Sequence, residues 1–236
     1  MRCAPSFMST VEALSRLLEV SQVSICGGTF PDEHHGLVEE RYQASRFAPS
    51  RQREYYSVRQ FARQAGDRLG LRLGALVKGP SGSIRWPQGV VGSVSHSKNR
   101  GVAIVGSSGS VSGLGVDVES LDRFDQVGRP LRTHDGEDAL IEELASRYDI
   151  PRTKASVLLF SAKEAAFKAR PSSEGLGALC GVATSPYRLH LNGIATDSEN
   201  IRVVSISGDA WRNVQVLILE DHVLSWCITR ELAIGS

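Results

Sequence analysis

Between Ser50 and Gly70 the apolar side chains recur in steps of three and four. Tyr55, Val58, Ala62, Ala65 and Leu69 fall on one stripe of a helix, and Arg51, Arg53, Arg59 and Arg63 lie off it. The stretches GVVGSVSHS and GVAIVG predict two short strands around a turn at Lys98 to Gly101. GSSGSVSG, residues 106–113, is rich in glycine and serine and marks a joint, after which LGVDVES reads as a strand. Residues 120–136 are polar and irregular, and Asp138 to Tyr148 predict a short helix. DIPRTKASVLLFSAKEAAFKARP predicts a long one, with Asp149 near its cap, Pro151 in its first turn and Pro171 as its stop. NVQVLIL and VLSWCIT alternate as strands around Glu220 to His222. No fixed-period repeat is visible. The expectation is an α+β protein of two comparable halves, residues 1–108 and 109–236, each with one long helix and several strands.

The bulk numbers narrow the class without naming it. A chain of 236 residues, 41% hydrophobic and 22% charged, can bury a sizeable core. A net charge of +1 gives no support to a nucleic-acid-coating protein, so any basic site must be local. Cys3, Cys26, Cys180 and Cys227 are scattered, with no Cys-x-x-Cys pair, which points away from zinc and disulfide frameworks and toward reduced thiols in the cytoplasm. Glu12 and Arg16 interrupt the apolar stretch near the N-terminus, which argues against a secretory signal, and no run of eighteen apolar residues predicts a membrane span.

Three groups of residues could carry chemistry. Asp117 and Glu119, two apart on a strand, face the same side roughly 6.5–7 Å from one another. Such a pair either reaches water, the commoner case for Asp-x-Glu alone, or shares a cation. A hard cation such as Mg²⁺ would take few protein oxygens and complete its shell with substrate phosphate. Glu164 and Lys168, at i and i+4, read by themselves as a surface pair worth about 0.3–0.5 kcal/mol, and Phe160 and Phe167 as core. Lys163, a second cation beside Glu164 next to the apolar run ASVLLF, tilts this toward a cleft. In WPQGVVGSVSHS, Ser93 and Ser95 share one strand face and His96 the other, so no nucleophile–base pair forms, and Gly-x-Ser-x-Gly is absent. His34 and His35 read as an exposed loop without a role.

The order GSVSHS, then GVDVE, then FSAKEAAFKA resembles the larger, monomeric 4′-phosphopantetheinyl transferases that activate enterobactin and surfactin synthetases. SRQREYYSVRQFARQAGDRLG followed by LVKGPSGSIRWP is similar to that family's N-terminal half, and the resemblance runs from about residue 46 to about residue 170. Phe160 stands where the family often has Trp, and Ser81 where several relatives have a basic residue. The resemblance implies two similar α+β halves related by a pseudo-twofold, with the site between them. It implies transfer of the phosphopantetheine arm of coenzyme A to a serine of an acyl or peptidyl carrier protein, with release of adenosine 3′,5′-bisphosphate. By the same resemblance Asp117, Glu119 and Glu164 hold Mg²⁺, with Mn²⁺ as an alternative. Glu164 is the base, directly or through a water; Lys168 lies against the pyrophosphate and Lys163 supports it. Arg51, Arg59, Lys78 and His96 match positions that hold the 3′-phosphate and its neighbours, and Ser95 adds a hydroxyl. The partners implied belong to fatty acid, polyketide and nonribosomal peptide assembly, with neither nucleic acid nor membrane. Rival readings are another Mg²⁺-dependent phosphoryl-transfer enzyme or phosphatase, and a non-catalytic module that binds coenzyme A or a carrier protein.

Overall fold

The computed structural model describes residues 7–19, 22–33, 36–80, 82–123, 137–170, 187–195, 198–205, 211–219 and 221–230. The chain is α+β, with five helices and eight strands among the described residues. It divides into two compact units, one built on Pro5–Leu114 and the other on Gly115–Thr229.

The first unit carries α1 (Phe7–Glu19), β1 (Val23–Thr29), α2 (Val38–Ala44), α3 (Pro49–Arg68), β2 (Val90–Ser97) and β3 (Arg100–Ser107). Proline opens α3, where a missing N–H is no loss. The predicted stripe is its buried face: Val58, Ala62 and Ala65 pack with Phe61 on Ala103 and Val105 of the sheet, and Tyr55 packs with Ala44 and Tyr56. Leu69 lies one residue past the helix, as its C-cap. The sheet has the order β1-β3-β2, all antiparallel. β2 and β3 form the predicted hairpin, closed by Lys98 at φ 52°. Glu12 and Arg16, which interrupt the apolar N-terminal stretch, lie on the exposed face of α1, whose buried residues Phe7, Thr10, Val11 and Ser15 keep helical spacing. No described helix is long and apolar enough to cross a membrane.

The second unit carries β4 (Gly113–Ser120, which starts in the first), α4 (Glu137–Tyr148), α5 (Arg152–Lys168), β5 (Tyr187–Ala195), β6 (Ser198–Ser205), β7 (Trp211–Ile218) and β8 (His222–Thr229). Its sheet has the order β4-β8-β7-β6-β5. Pro151 caps α5 from outside and does not sit in its first turn, and Asp149 takes φ 50° in the preceding turn. Helix α5 ends at Lys168, with Ala169 as C-cap; Pro171, like His34, His35 and Ser81, lies outside the described residues. Small side chains on α5 (Ala155, Ala162, Ala165 and Ala166) meet Leu140, Ile141 and Leu144 of α4 and Val214, Val216 and Val223 of the sheet.

Gly115 sets how closely β4 and α5 approach. A Cβ there would overlap the carbonyl oxygen of Ala165 and stand 2.7 Å from the Ala169 nitrogen. Backbone cannot move aside as a flexible side chain can. Gly115→Ala should therefore destabilise the protein by about 3 kcal/mol, the upper end of the overpacking range. A urea titration checks this, and an unchanged midpoint would show that α5 can retreat without cost.

Candidate active site

Strand β4 is buried along its whole length, which removes the solvated-face reading of its carboxylates. Asp117 is 2% exposed and Glu119 5%, while Val116 and Val118 fill the other side. Lys168, at the last turn of α5, brings its Nζ 2.7 Å from Asp117 Oδ1 and 3.9 Å from Glu164 Oε2. The same ammonium donates to the carbonyl oxygen of Val116 at 3.3 Å. Arg123 pairs with Glu119 Oε1 from just beyond the strand, and its guanidinium lies 4.6 Å from the ring centroid of Phe160. Phe160 therefore supports the cation that holds a site carboxylate.

With this little water, two of the carboxyl groups hold their protons more tightly than usual. Burial, and then Asp117, push Glu119 up to about 7 against the opposing pull of Arg123. Burial also raises Glu164, partly offset by Lys168. For Lys168 burial acts downward, but Asp117 and then Glu164 outweigh it and hold the ammonium above its ordinary range. The set thus carries more negative charge than its surroundings accommodate. Its oxygen donors suit a hard divalent cation that takes the rest of its shell from phosphate and water. Among the described residues no group of three or more metal-ligating side chains gathers around one point; Lys168 stands by Asp117 and Arg123 by Glu119.

Lys163 is not the second cation beside Glu164 that the sequence suggests. It is 0% exposed and its Nζ lies 2.6 Å from Glu137 Oε1, at the start of α4. Neighbours in a helix leave it on different sides, so Lys163 and Glu164 cannot share a site. Glu137 follows a polar segment and offered no signal in sequence.

In the first unit, Arg51 Nη1 donates to His96 Nε2 at 2.7 Å and to Glu54 Oε2 at 2.7 Å. Accepting at Nε2 leaves the His96 proton on Nδ1, which faces Glu54 Oε2 at 3.8 Å. Glu54 was missed because it reads as an ordinary i+3 partner of Arg51. Lys78 is exposed; partial burial of its stem, then Arg51 and Arg59, hold it below its ordinary range. Arg59 does not lie off the stripe as expected: it is 2% exposed, because Tyr55 one turn earlier receives its guanidinium 3.2 Å from the ring centroid. Its Nε donates to Leu76 O at 2.5 Å and Nη1 to Tyr55 O at 2.9 Å, which leaves Nη2 without a hydrogen bond. Burial lowers its pKa to about 10. Ser95 is 7% exposed and alternates to the face of β2 opposite His96, so it does not join the Arg51–His96 group.

Residues 39–106 match the family model of the 4′-phosphopantetheinyl transferase N-terminal domain, and residues 113–228 that of the 4′-phosphopantetheinyl transferase superfamily. The chain belongs to that superfamily. Over 138 residues, 56% of its length, it is 36% identical to the 4′-phosphopantetheinyl transferase PptT of Mycobacterium tuberculosis, covering 57% of that protein. Over 141 residues, 59% of its length, it is 36% identical to the 4′-phosphopantetheinyl transferase Svp of Streptomyces mobaraensis, covering 56%. The matched stretch thus spans little more than half of either relative.

The raised Glu119 sets a pH dependence of stability. A carboxyl that holds its proton more tightly folded than unfolded stabilises fully below about pH 4.5, and this contribution is lost as pH rises through about 7. In EDTA, Glu119→Gln should be stabler than the wild type at pH 8 by on the order of 1–2 kcal/mol, with the gap closing toward pH 5. Denaturant midpoints at the two pH values measure it; a constant gap would show that Arg123 neutralises Glu119 throughout.

Proposed function

We propose that this chain transfers the 4′-phosphopantetheine group of coenzyme A to a serine of an acyl or peptidyl carrier protein and releases adenosine 3′,5′-bisphosphate. The observation that carries the reading is the pair of buried carboxylates, Asp117 and Glu119, with the half-buried Glu164 and Lys168 beside them at the contact of β4 with α5. Family membership supplies the reaction class. Cys26 and Cys227 are not joined in disulfides, which suits action in the cytosol.

The reaction breaks the phosphoanhydride bond of the coenzyme A pyrophosphate and forms a phosphodiester to the serine oxygen, so positioning and charge neutralisation dominate. Glu164 takes the proton of the carrier serine, directly or through one water, as the serine oxygen bonds to phosphorus. Its raised proton affinity brings it nearer to a working base at neutral pH. The bond to the adenosine 3′,5′-bisphosphate then breaks, and the Lys168 ammonium offsets charge on the departing oxygens. Mg²⁺, or Mn²⁺, held by Asp117, Glu119 and Glu164, would supply further neutralisation of the pyrophosphate. Arg51, His96 and Lys78 take the 3′-phosphate, and the buried Arg59 adds positive charge beside Lys78. Lys163 supports the site through the helix, by anchoring α5.

Mass spectrometry of apo carrier proteins incubated with the protein, coenzyme A and Mg²⁺ tests the class; release of inorganic phosphate in place of carrier modification would refute it. Asp117→Ala and Glu164→Gln should each abolish transfer while the circular dichroism spectrum stays folded. Losing a charge-assisted contact to the 3′-phosphate should cost roughly ten- to a hundredfold in affinity. Arg51→Ala and His96→Ala should therefore shrink the preference for coenzyme A over dephospho-coenzyme A. An unchanged ratio of catalytic efficiencies in both variants removes them from the site.

A further inference from the structure

Helix α2 has seven residues, too few to persist alone in water, and buries just Glu40 and Ala44. Its outer residues Val38 and Tyr42 are 68% and 85% exposed. Apolar burial therefore does not explain why the helix is there. Its inner edge does: Glu40 and Gln43, three apart and so on one face, both turn to the irregular segment that ends at Lys78.

Glu40 is fully buried. Its Oε1 accepts from Arg63 Nη1 at 2.6 Å and from the Leu76 amide at 2.9 Å, and its Oε2 caps the helix at the Leu37 amide at 3.1 Å. Gln43 Oε1 accepts from the Lys78 amide at 2.7 Å, and Gln43 Nε2 donates to the Lys78 carbonyl at 3.0 Å. One carboxamide thus engages both backbone groups of one residue, the two-point pairing that an opposed residue makes across an antiparallel ladder. Tyr55, 3% exposed, donates its hydroxyl to the same Oε1 at 2.5 Å and fixes the amide in place. On its other side Lys78 bridges Ile84.

We infer that Gln43, held by Tyr55 and backed by Glu40, is the positioning residue that sets Lys78 for the 3′-phosphate. The need for it is electrostatic. Lys78 has a flexible four-carbon stem and lies among the like charges of Arg51 and Arg59, which favour its departure. Leu76, fully buried, anchors the segment two residues earlier but leaves the direction of Lys78 open. Pinning the backbone of Lys78 restricts where its ammonium can go.

This rests on the reading of Lys78 as a 3′-phosphate ligand, and the experiment separates the two. Adenosine 3′,5′-bisphosphate and adenosine 5′-phosphate are titrated calorimetrically into the wild type, Lys78→Ala, Gln43→Leu and Tyr55→Phe. The wild type should prefer the bisphosphate, and Lys78→Ala should collapse that preference. Gln43→Leu should reduce it at least about fivefold, through weaker bisphosphate binding, and Tyr55→Phe should reduce it less, in the same direction. An unchanged preference in Lys78→Ala overturns the reading of Lys78 itself. A collapse there with wild-type ratios in both other variants overturns the positioning role alone. So does an equal weakening of both nucleotides by Gln43→Leu, which is what a merely structural role predicts. If Gln43→Leu does not fold, Tyr55→Phe decides, since it keeps the ring under Arg59 and removes only the hydroxyl.

Discussion

The contact of β4 with α5, backbone against backbone, governs the second unit. Because Gly115 has no side chain, the carbonyl of Ala165 and the amide of Ala169 come right up to the strand. That approach leaves no room for water over Asp117 and Glu119, two and four residues on. It also brings the end of the helix near enough for Lys168 to reach Asp117. The electrostatics follow from burial: two buried carboxyl groups, with the half-buried Glu164 beside them, lean on two cations that come from outside the strand itself.

The first unit answers a different physical problem, that of concentrating positive charge. Arg51 and Arg59 both repel Lys78, and each of the three is restrained by a separate device. Arg51 is braced by Glu54 and by the imidazole of His96. Arg59 is stacked on Tyr55 and tied to two carbonyls. Lys78 is held through its main chain by an amide side chain. The buried Tyr55 takes part in two of these restraints, its ring under Arg59 and its hydroxyl on Gln43.

Long periodic segments were legible in the sequence. The stripe of α3, the hairpin of β2 and β3, α4, α5 and the last two strands are all where period and turn chemistry put them, within a residue or two. The short elements were not: α2 has too few residues to show a period, and β1, VSICGGT, buries nearly every position and so does not alternate. At the site, spacing could place Asp117 with Glu119 and Glu164 with Lys168, since each pair lies on one element. It could not separate a wet strand face from a dry one, because that depends on what packs above it. Nor could it show that Arg59 is buried, because charge suggests exposure until a stacking partner is known. Glu54 faces His96, Gln43 holds Lys78 and Arg123 lies over Phe160, contacts between elements that no local pattern records.

The buried pair of Lys163 with Glu137 changes how the motif around Glu164 can be interrogated. Two adjacent letters of the sequence face different ways, one into the interior of the unit and one toward Lys168. Breaking a buried ion pair from one side leaves a stranded charge and costs about 3–5 kcal/mol. Under the role proposed for Glu164, an alanine scan would therefore score both positions as indispensable, for unrelated reasons: one variant a folded protein that cannot react, the other a protein short of its fold. Activity alone cannot tell a broken tool from a broken handle. In this helix that distinction changes from one residue to the next.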